Sequence, residues 1–290
     1  MTIHPRGFSG PSSLPRDVAI RSEHRRLAGH LHPADNPVAA VVLNGAVGVA
    51  QGYYTDFARW LAEERGIACL TYDYRDFGAS ATGRPRRSDA TMTDWGVADQ
   101  MAARAFVEAT FPGLPVWIVG HSIGGAMLPF QSGFERVARA ILIGSGTVHV
   151  SDHPWPYQAV ARFFWQGHGP VMTRALGFLP GRLSGFGADL PAGVYWQWRR
   201  WCLTRGYHLN DAGGRLPVPD WRAFTAPMKF VAMADDPVVP PAAVWRLMRH
   251  FPEAVKRQLV LRPEEHGVQR IGHMGIFHRA NAKLWPLVVA

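Results

Sequence analysis

Residues Val116 to Gly125 read Val-Trp-Ile-Val-Gly-His-Ser-Ile-Gly-Gly. An apolar run leading into G-x-S-x-G is the pattern of a serine held on a sharp turn between a strand and a helix. In such a turn Ser122 takes a strained backbone conformation and projects its hydroxyl beyond the sheet edge, while Gly120 and Gly124 leave room where side chains would collide. A serine hydroxyl is a weak nucleophile until a base takes its proton, so the pattern calls for a histidine oriented by a carboxylate later in the chain. Two segments supply them. Asp235-Asp236-Pro237-Val238-Val239-Pro240 follows the apolar run Met228 to Ala232, and Ile271-Gly272-His273-Met274-Gly275 follows the last predicted strand. The order Ser122, Asp236, His273 places each residue just beyond a strand, at the edge of the sheet where α/β sites gather. Asp235 is the alternative acid and His266 the alternative base. The bland reading of Ser122, a buried turn serine, leaves its flanking glycines unexplained.

Attack by Ser122 on a carbonyl would create an oxyanion that needs donors. One expected donor is the backbone N–H of Ile123, at the start of the helix. The other is expected from the loop Asn44-Gly45-Ala46-Val47-Gly48, with Ala46 as first choice and Val47 as second.

The elements that must position these groups follow from hydrophobic period. Val18 to Arg21 and Arg26 to Leu31 alternate and predict an antiparallel hairpin, whereas Val38 to Leu43 is a continuous apolar run that predicts a buried strand. Tyr54, Phe57, Ala58 and Leu61 recur at helical spacing, Gly66 stops the helix, and Ile67 to Tyr72 is the next strand. Thr91 with Asp94 can box a helix start ahead of Trp95, Ala98, Ala102, Ala105 and Ala109. Strands follow at Val116 to Val119, Val137 to Ile143, Met228 to Ala232 and Arg257 to Leu261, with a helix through Val244, Leu247, Met248 and Phe251. The pattern predicts an α/β fold with a mostly parallel central sheet and helices on both faces.

One stretch breaks the alternation. Residues 148–221 show no strand-helix rhythm but are dense in tryptophan and phenylalanine, and they read as an inserted, mainly helical cap. The expected division is a flexible lead-in at 1–16, a core formed by 17–147 and 222–290, and the cap. Most of the cap aromatics are expected to glue it to the body, while Trp155, Trp165 and Trp198 are the candidates for lining a substrate pocket.

Tyr72-Asp73-Tyr74-Arg75-Asp76-Phe77-Gly78-Ala79-Ser80 is similar to the D-x-R-G-x-G-x-S stretch of the α/β-hydrolases, with Asp76 where glycine is usual. With the serine turn and the order of the candidate acid and base, the chain from Asp17 onward resembles an α/β-hydrolase of the serine-hydrolase type. Within that family it looks like the capped branch near monoacylglycerol lipases and serine aminopeptidases. Leu179-Pro180-Gly181-Arg182 and Trp198-Arg199-Arg200-Trp201-Cys202 resemble a group of bacterial predicted hydrolases. The resemblance implies the α/β-hydrolase fold and cleavage of an ester-type bond (ester, thioester or amide) through an acyl-enzyme on Ser122, with Asp236 and His273 completing a triad. Arg75 and Ser80 are structural in that family, and Asn44 departs from its usual His-Gly loop start. A dehalogenase on this fold would carry aspartate at position 122. An acyltransferase using the same triad, and a ligand-binding receptor retaining the fold, stay open as alternatives.

The 290 residues suit one medium domain with an insertion, and 47% hydrophobic against 18% charged residues excludes a disordered chain. A formal charge of +9 raises nucleic-acid binding as a reading. The basic residues are scattered, however, and the tight group Arg84, Arg86, Arg87 lies in a Gly/Pro loop without interleaved aromatics, so no nucleic-acid partner is expected. No apolar run reaches membrane-spanning length and the first residues lack a signal-peptide centre, which gives a cytoplasmic expectation. Cys69 and Cys202 read as ordinary thiols. His30 and His32 share a strand face without accompanying ligands, so neither metal nor cofactor is expected, and the partner is a small, largely apolar acyl substrate.

Overall fold

The structure, a computed structural model, describes residues 14–185 and 187–290. In chain order the main elements are β1 (Arg16–Ser22), β2 (Arg25–His32), β3 (Ala39–Asn44), α1 (Thr55–Arg65), β4 (Ile67–Tyr72), α2 (Gln100–Thr110), β5 (Val116–His121), α3 (Ile123–Ala126) and β6 (Val137–Ile143). There follow α4 (Tyr157–Phe163), α5 (Gly169–Leu176), β7 (Phe178–Leu179), β8 (Leu190–Pro191), α6 (Ala192–Leu203), β9 (Met228–Met233), α7 (Pro241–Met248), β10 (Lys256–Leu261) and α8 (Trp285–Val289). Eight strands make one sheet in the spatial order β1-β2-β4-β3-β5-β6-β9-β10. β1 and β2 pair antiparallel, as do β2 and β4, and every later pair is parallel. β1 begins at Arg16, paired with Leu31, one residue inside the expected lead-in; residues 1–13 of that lead-in lie outside the described residues.

The central strands are apolar throughout because both faces of the sheet are covered. Val42, Leu70, Ile118, Leu142 and Phe230 pack on one side with Ala103 and Val107 of α2 and Val244 and Leu247 of α7. Val41, Cys69, Val119, Ile141 and Val231 pack on the other with Phe57 and Leu61 of α1 and Trp285 and Val288 of α8. Successive residues of each strand thus enter opposite cores, as the two-residue period requires.

Gly66 ends α1 at φ 62°, the left-handed cap that glycine adopts without strain. The Thr91–Asp94 box forms: the Asp94 carboxylate accepts from the Thr91 N–H (2.7 Å) and hydroxyl (2.6 Å). The helix it starts opens with a wider stretch at Asp94–Asp99 before α2 becomes regular. The Gly96 carbonyl in that stretch is taken by Gln131 Nε2 at 2.7 Å, a side chain entering the backbone ladder.

The segment 73–80 explains its own departure from the glycine pattern. Asp76 sits at φ 56°, where a side chain is strained unless local bonds hold it. Its carboxylate accepts from Thr82 (3.2 Å) and Ser88 (2.8 Å). Arg75 is buried and bonds Asp99, Glu23 and Ser22, while Ser80 Oγ accepts from the Ala28 N–H and donates to the Asp73 carbonyl. This segment ties β1, β2, the end of β4 and the wide stretch ahead of α2 together.

Between β6 and β9 the chain leaves the sheet and runs through α4, α5, the two-stranded ribbon β7-β8, and α6. Polar contacts fasten this excursion to the rest: Gln197 Nε2 donates to Thr93 Oγ1 (2.8 Å), Arg246 pairs with Asp152 (2.7 Å), and His153 Nδ1 meets the Pro237 carbonyl (3.0 Å).

Candidate active site

Ser122 follows β5 at φ 56°, ψ −119°, a left-handed conformation that costs a few kcal/mol and persists only when its surroundings fix it. The Ile143 carbonyl does so, accepting the Ser122 N–H at 3.0 Å. A Cβ on Gly120 would lie 2.5 Å from Gly125 Cα, and one on Gly124 would overlap the Asn44 carbonyl oxygen; both glycines are required by close backbone approach. α3 lasts only one turn and yields to a 3-10 turn at Leu128–Phe130, since Pro129 has no N–H to continue the ladder.

His273 Nδ1 lies 2.7 Å from Asp236 Oδ2. The other Asp236 oxygen accepts from the N–H groups of Val238 (2.8 Å) and Val239 (2.9 Å), so both oxygens of this buried acid have partners. Asp235 turns the opposite way: its two oxygens accept from the N–H groups of Ile271 and Gly272, each at 2.9 Å. The structure therefore brings Asp236 to His273 and uses Asp235 to hold the backbone that carries it. His266 lies in a 3-10 turn at Glu264–His266, outside the cavity that holds His273.

Ser122, Ile123 and His273 line one cavity of about 900 Å³. Its walls are chiefly apolar, with Val148, Tyr157, Phe164, Trp165, Trp198 and Val239 among them. Trp165 and Trp198 meet edge to face at 4.8 Å. Trp155 does not belong to this wall: it is 79% exposed. At the start of α4 it is Tyr157 that lines the cavity, edge-on against His153 at 5.2 Å.

The oxyanion-loop expectation also needs correction. Ala46 touches the cavity, but its N–H donates to the Tyr54 hydroxyl at 2.8 Å and is not free for a ligand. Val47 lines the same cavity, and among the described residues no protein group accepts its N–H. As the first residue of α3, Ile123 likewise has no intrahelical acceptor.

Tyr54 belongs to a chain of bonds that sequence reading did not anticipate. Its hydroxyl lies 2.9 Å from His121 Nδ1, and His121 Nε2 lies 3.0 Å from the His273 carbonyl. Burial, reinforced by the neighbouring His273, holds the His121 imidazole well below the usual histidine range, so it is neutral with a single N–H. A carbonyl can only accept, hence the proton sits on Nε2 and Nδ1 accepts from Tyr54. Tyr54 in turn accepts from Ala46, and burial keeps its phenol protonated. The result is a directed chain from the loop after β3, through the residue preceding Ser122, to the backbone of His273. Tyr53 adds a parallel tie, its hydroxyl donating to the Met274 carbonyl at 2.7 Å. The sequence signal was present in the Tyr-Tyr pair and in the histidine of G-H-S-I-G, but two buried polar groups far apart in sequence give no hint of their pairing.

Tyr54→Phe should strand the Ala46 N–H and His121 Nδ1 in a dry interior, costing roughly 1–3 kcal/mol for each group. Denaturant unfolding is the measurement, and the double variant Tyr54→Phe/His121→Leu should lose less than the two single losses added together. Additive losses would show that the two residues are not coupled.

Among the described residues no group of three or more His, Cys, Asp or Glu side chains converges as a metal site, and no helix is long and apolar enough to cross a membrane.

The topology and the serine turn define a class, and comparison with known proteins agrees. The chain belongs to the alpha/beta hydrolase family, whose sequence profile matches residues 40–283. Among particular relatives, it is 33% identical over 110 residues to an inferred monoglyceride lipase of Schizosaccharomyces pombe; that alignment takes in 38% of this chain and only 28% of the yeast protein. An esterase of Pyrococcus furiosus superposes with a TM-score of 0.61 at 13% identity, over 98% of this chain and 94% of that one. An alpha/beta hydrolase from a Penicillium species gives 0.61 at 18% identity, over 95% and 97%. At these identities the likeness to the solved structures is one of fold.

Proposed function

We propose that this member of the family is a hydrolase, a serine esterase that cleaves a small ester with an apolar acyl group through an acyl-enzyme. The observation that carries the reading is the opening of Ser122 and the Asp236–His273 pair into one apolar cavity. His273 Nε2 takes the Ser122 proton as the hydroxyl attacks the carbonyl, and Asp236 holds the ring through Nδ1 and stabilises its positive charge. The oxyanion is received by the N–H groups of Ile123 and Val47, with Val47 replacing Ala46 as the loop donor. Protonation of the leaving oxygen by His273 leaves the acyl group on Ser122, and water activated by the same histidine releases it. The names of the yeast relative and the archaeal structure, a lipase and an esterase, point to the same bond type.

Residues 148–221 act in this reading as a cap that sets acyl preference, supported by the contribution of Tyr157, Phe164, Trp165 and Trp198 to the cavity wall. Each methylene buried there is worth about 0.8 kcal/mol, close to fourfold in kcat/KM.

The test is a series of para-nitrophenyl esters of increasing acyl length, assayed with the natural residue and with Trp198→Ala. The expected result is a marked optimum in chain length that moves to longer acyl groups when the indole is removed. A flat series, or an optimum that ignores Trp198, would overturn the cap reading. Release of free acid, against transfer to an added alcohol, separates hydrolysis from acyl transfer in the same assay.

A further inference from the structure

A second concavity, of about 790 Å³, also borders His273. It shares Tyr53, Tyr157, Val238, His273 and Met274 with the apolar cavity, so the two meet along a common wall that includes His273. Their chemistry differs. The second is bounded by Arg270, His278 and Lys283, all exposed, and no carboxylate is among its lining residues.

The basic side chains of this groove have no bond to a carboxylate among the described residues. Among the described residues no carboxylate pairs with Arg270. Lys283 donates to the Gly267 carbonyl at 3.0 Å, which uses one of its three donors. His278 Nδ1 accepts the Ala280 N–H at 3.3 Å, so Nε2 is its remaining donor. Asp235, bonded to the loop that carries His273, is turned to the backbone of Ile271 and Gly272, and Glu265 pairs with Arg262 at 3.5 Å.

We propose that this groove is the leaving-group subsite and that it selects an alcohol or thiol bearing an anionic group, a carboxylate or a phosphate. The proposal rests on the esterase reading above. In ester cleavage the imidazole that receives the serine proton returns it to the leaving oxygen. The leaving group therefore lies beside His273, on the side opposite the acyl chain, and the groove walled by His273 is where its remainder extends. The fork of Arg270 suits the two oxygens of a carboxylate or phosphate, and Lys283 adds a second charge. The overall charge of +9 works in the same direction by attracting anionic substrates before contact.

The experiment compares three butyrate esters: of para-hydroxybenzoate, of its neutral methyl ester, and of para-hydroxyphenyl phosphate. For each charged ester the readout is its kcat/KM relative to the neutral one, in the natural protein, in Arg270→Glu and in Arg270→Gln/Lys283→Gln. Glutamine at 283 keeps a donor for Gly267. The expected result is that the charged-to-neutral ratio falls about tenfold or more in the variants, and falls in the natural protein as salt is raised, because exposed charges are screened over about 8 Å at physiological ionic strength. The carboxylate and phosphate arms show which anion is preferred. A ratio indifferent to the substitutions, while Ser122-dependent hydrolysis of the neutral ester continues, would overturn the groove and leave the esterase standing. Absence of Ser122-dependent hydrolysis of any ester would overturn both.

Discussion

Ser122→Ala should abolish labelling by a fluorophosphonate probe and lower kcat on any ester substrate by roughly 10⁴-fold or more, the scale of loss when the nucleophile of such a triad is removed. The loss is large because alanine removes the attacking atom and leaves only substrate binding and the oxyanion donors. Mass spectrometry of the labelled natural protein should place the adduct on Ser122. Two other serines sharpen the test. Ser145 is fully buried, and its hydroxyl is engaged by the Gly120 and Ile143 carbonyls, so a probe has no path to it. Ser184 also borders the apolar cavity and lies 3.0 Å from His168 Nε2, which makes it the stronger rival. His168 has no carboxylate bonded to it among the described residues, and Ser184 lies in a 3-10 turn, Arg182–Ser184, rather than on a strained strand-to-helix corner. An adduct on Ser184, or full labelling of Ser122→Ala, would remove Ser122 from the mechanism. Circular dichroism and thermal unfolding of the variant should match the natural protein, since no side-chain bond of Ser122 supports the turn; its N–H bond to Ile143 survives the substitution.

The sheet was legible because its physics is local and repeated. β4 and β6 fall where the apolar runs end, at Ile67–Tyr72 and Val137–Ile143, and each is bounded by glycine or by polar turn residues. The serine turn was legible for a different reason: close approach of Gly124 to the Asn44 carbonyl admits only glycine, so the geometry leaves its mark on residue type. What failed was direction. Trp155 lies in the turn before α4 and Tyr157 is the first residue of that helix, and across such a junction no fixed period says which side chain faces inward: the indole is exposed and the phenol lines the cavity. Ala46 failed because a backbone N–H carries no sequence label, and its capture by Tyr54 depends on a residue in the next turn whose apolar ring alone had been read. The choice between Asp235 and Asp236 was open for a similar reason. Adjacent residues at the end of a strand point to opposite sides, and only the placement of the His273 loop decides which one meets the imidazole.

That placement gives the two acids opposite signatures under the same substitution. Asp236→Asn keeps the size of the side chain but removes the charge that stabilises the imidazolium. The amide must also present one group to the Val238 and Val239 N–H donors and another to His273 Nδ1. With its oxygen kept on the two backbone donors, the nitrogen faces the ring and favours the tautomer with its proton on Nε2, which cannot accept from Ser122. The expected loss is roughly 10³-fold in kcat, with KM little changed, because substrate contacts are untouched. His273→Ala should be at least as severe, since it removes the base itself. Asp235→Asn touches neither Ser122 nor the imidazole. Its oxygen can still accept one of the two N–H groups of Ile271 and Gly272, so the cost is one charge-assisted bond, roughly 1.5–3 kcal/mol of loop or global stability. The activity that remains should carry a nearly normal kcat per folded molecule. Steady-state kinetics on both variants, with denaturant unfolding alongside, separates the two patterns: a stable protein without turnover for Asp236→Asn, and a less stable protein with turnover for Asp235→Asn. The reverse pairing would mean that Asp235 orients His273 during catalysis and that the 2.7 Å contact between Asp236 and His273 is not the one the reaction uses.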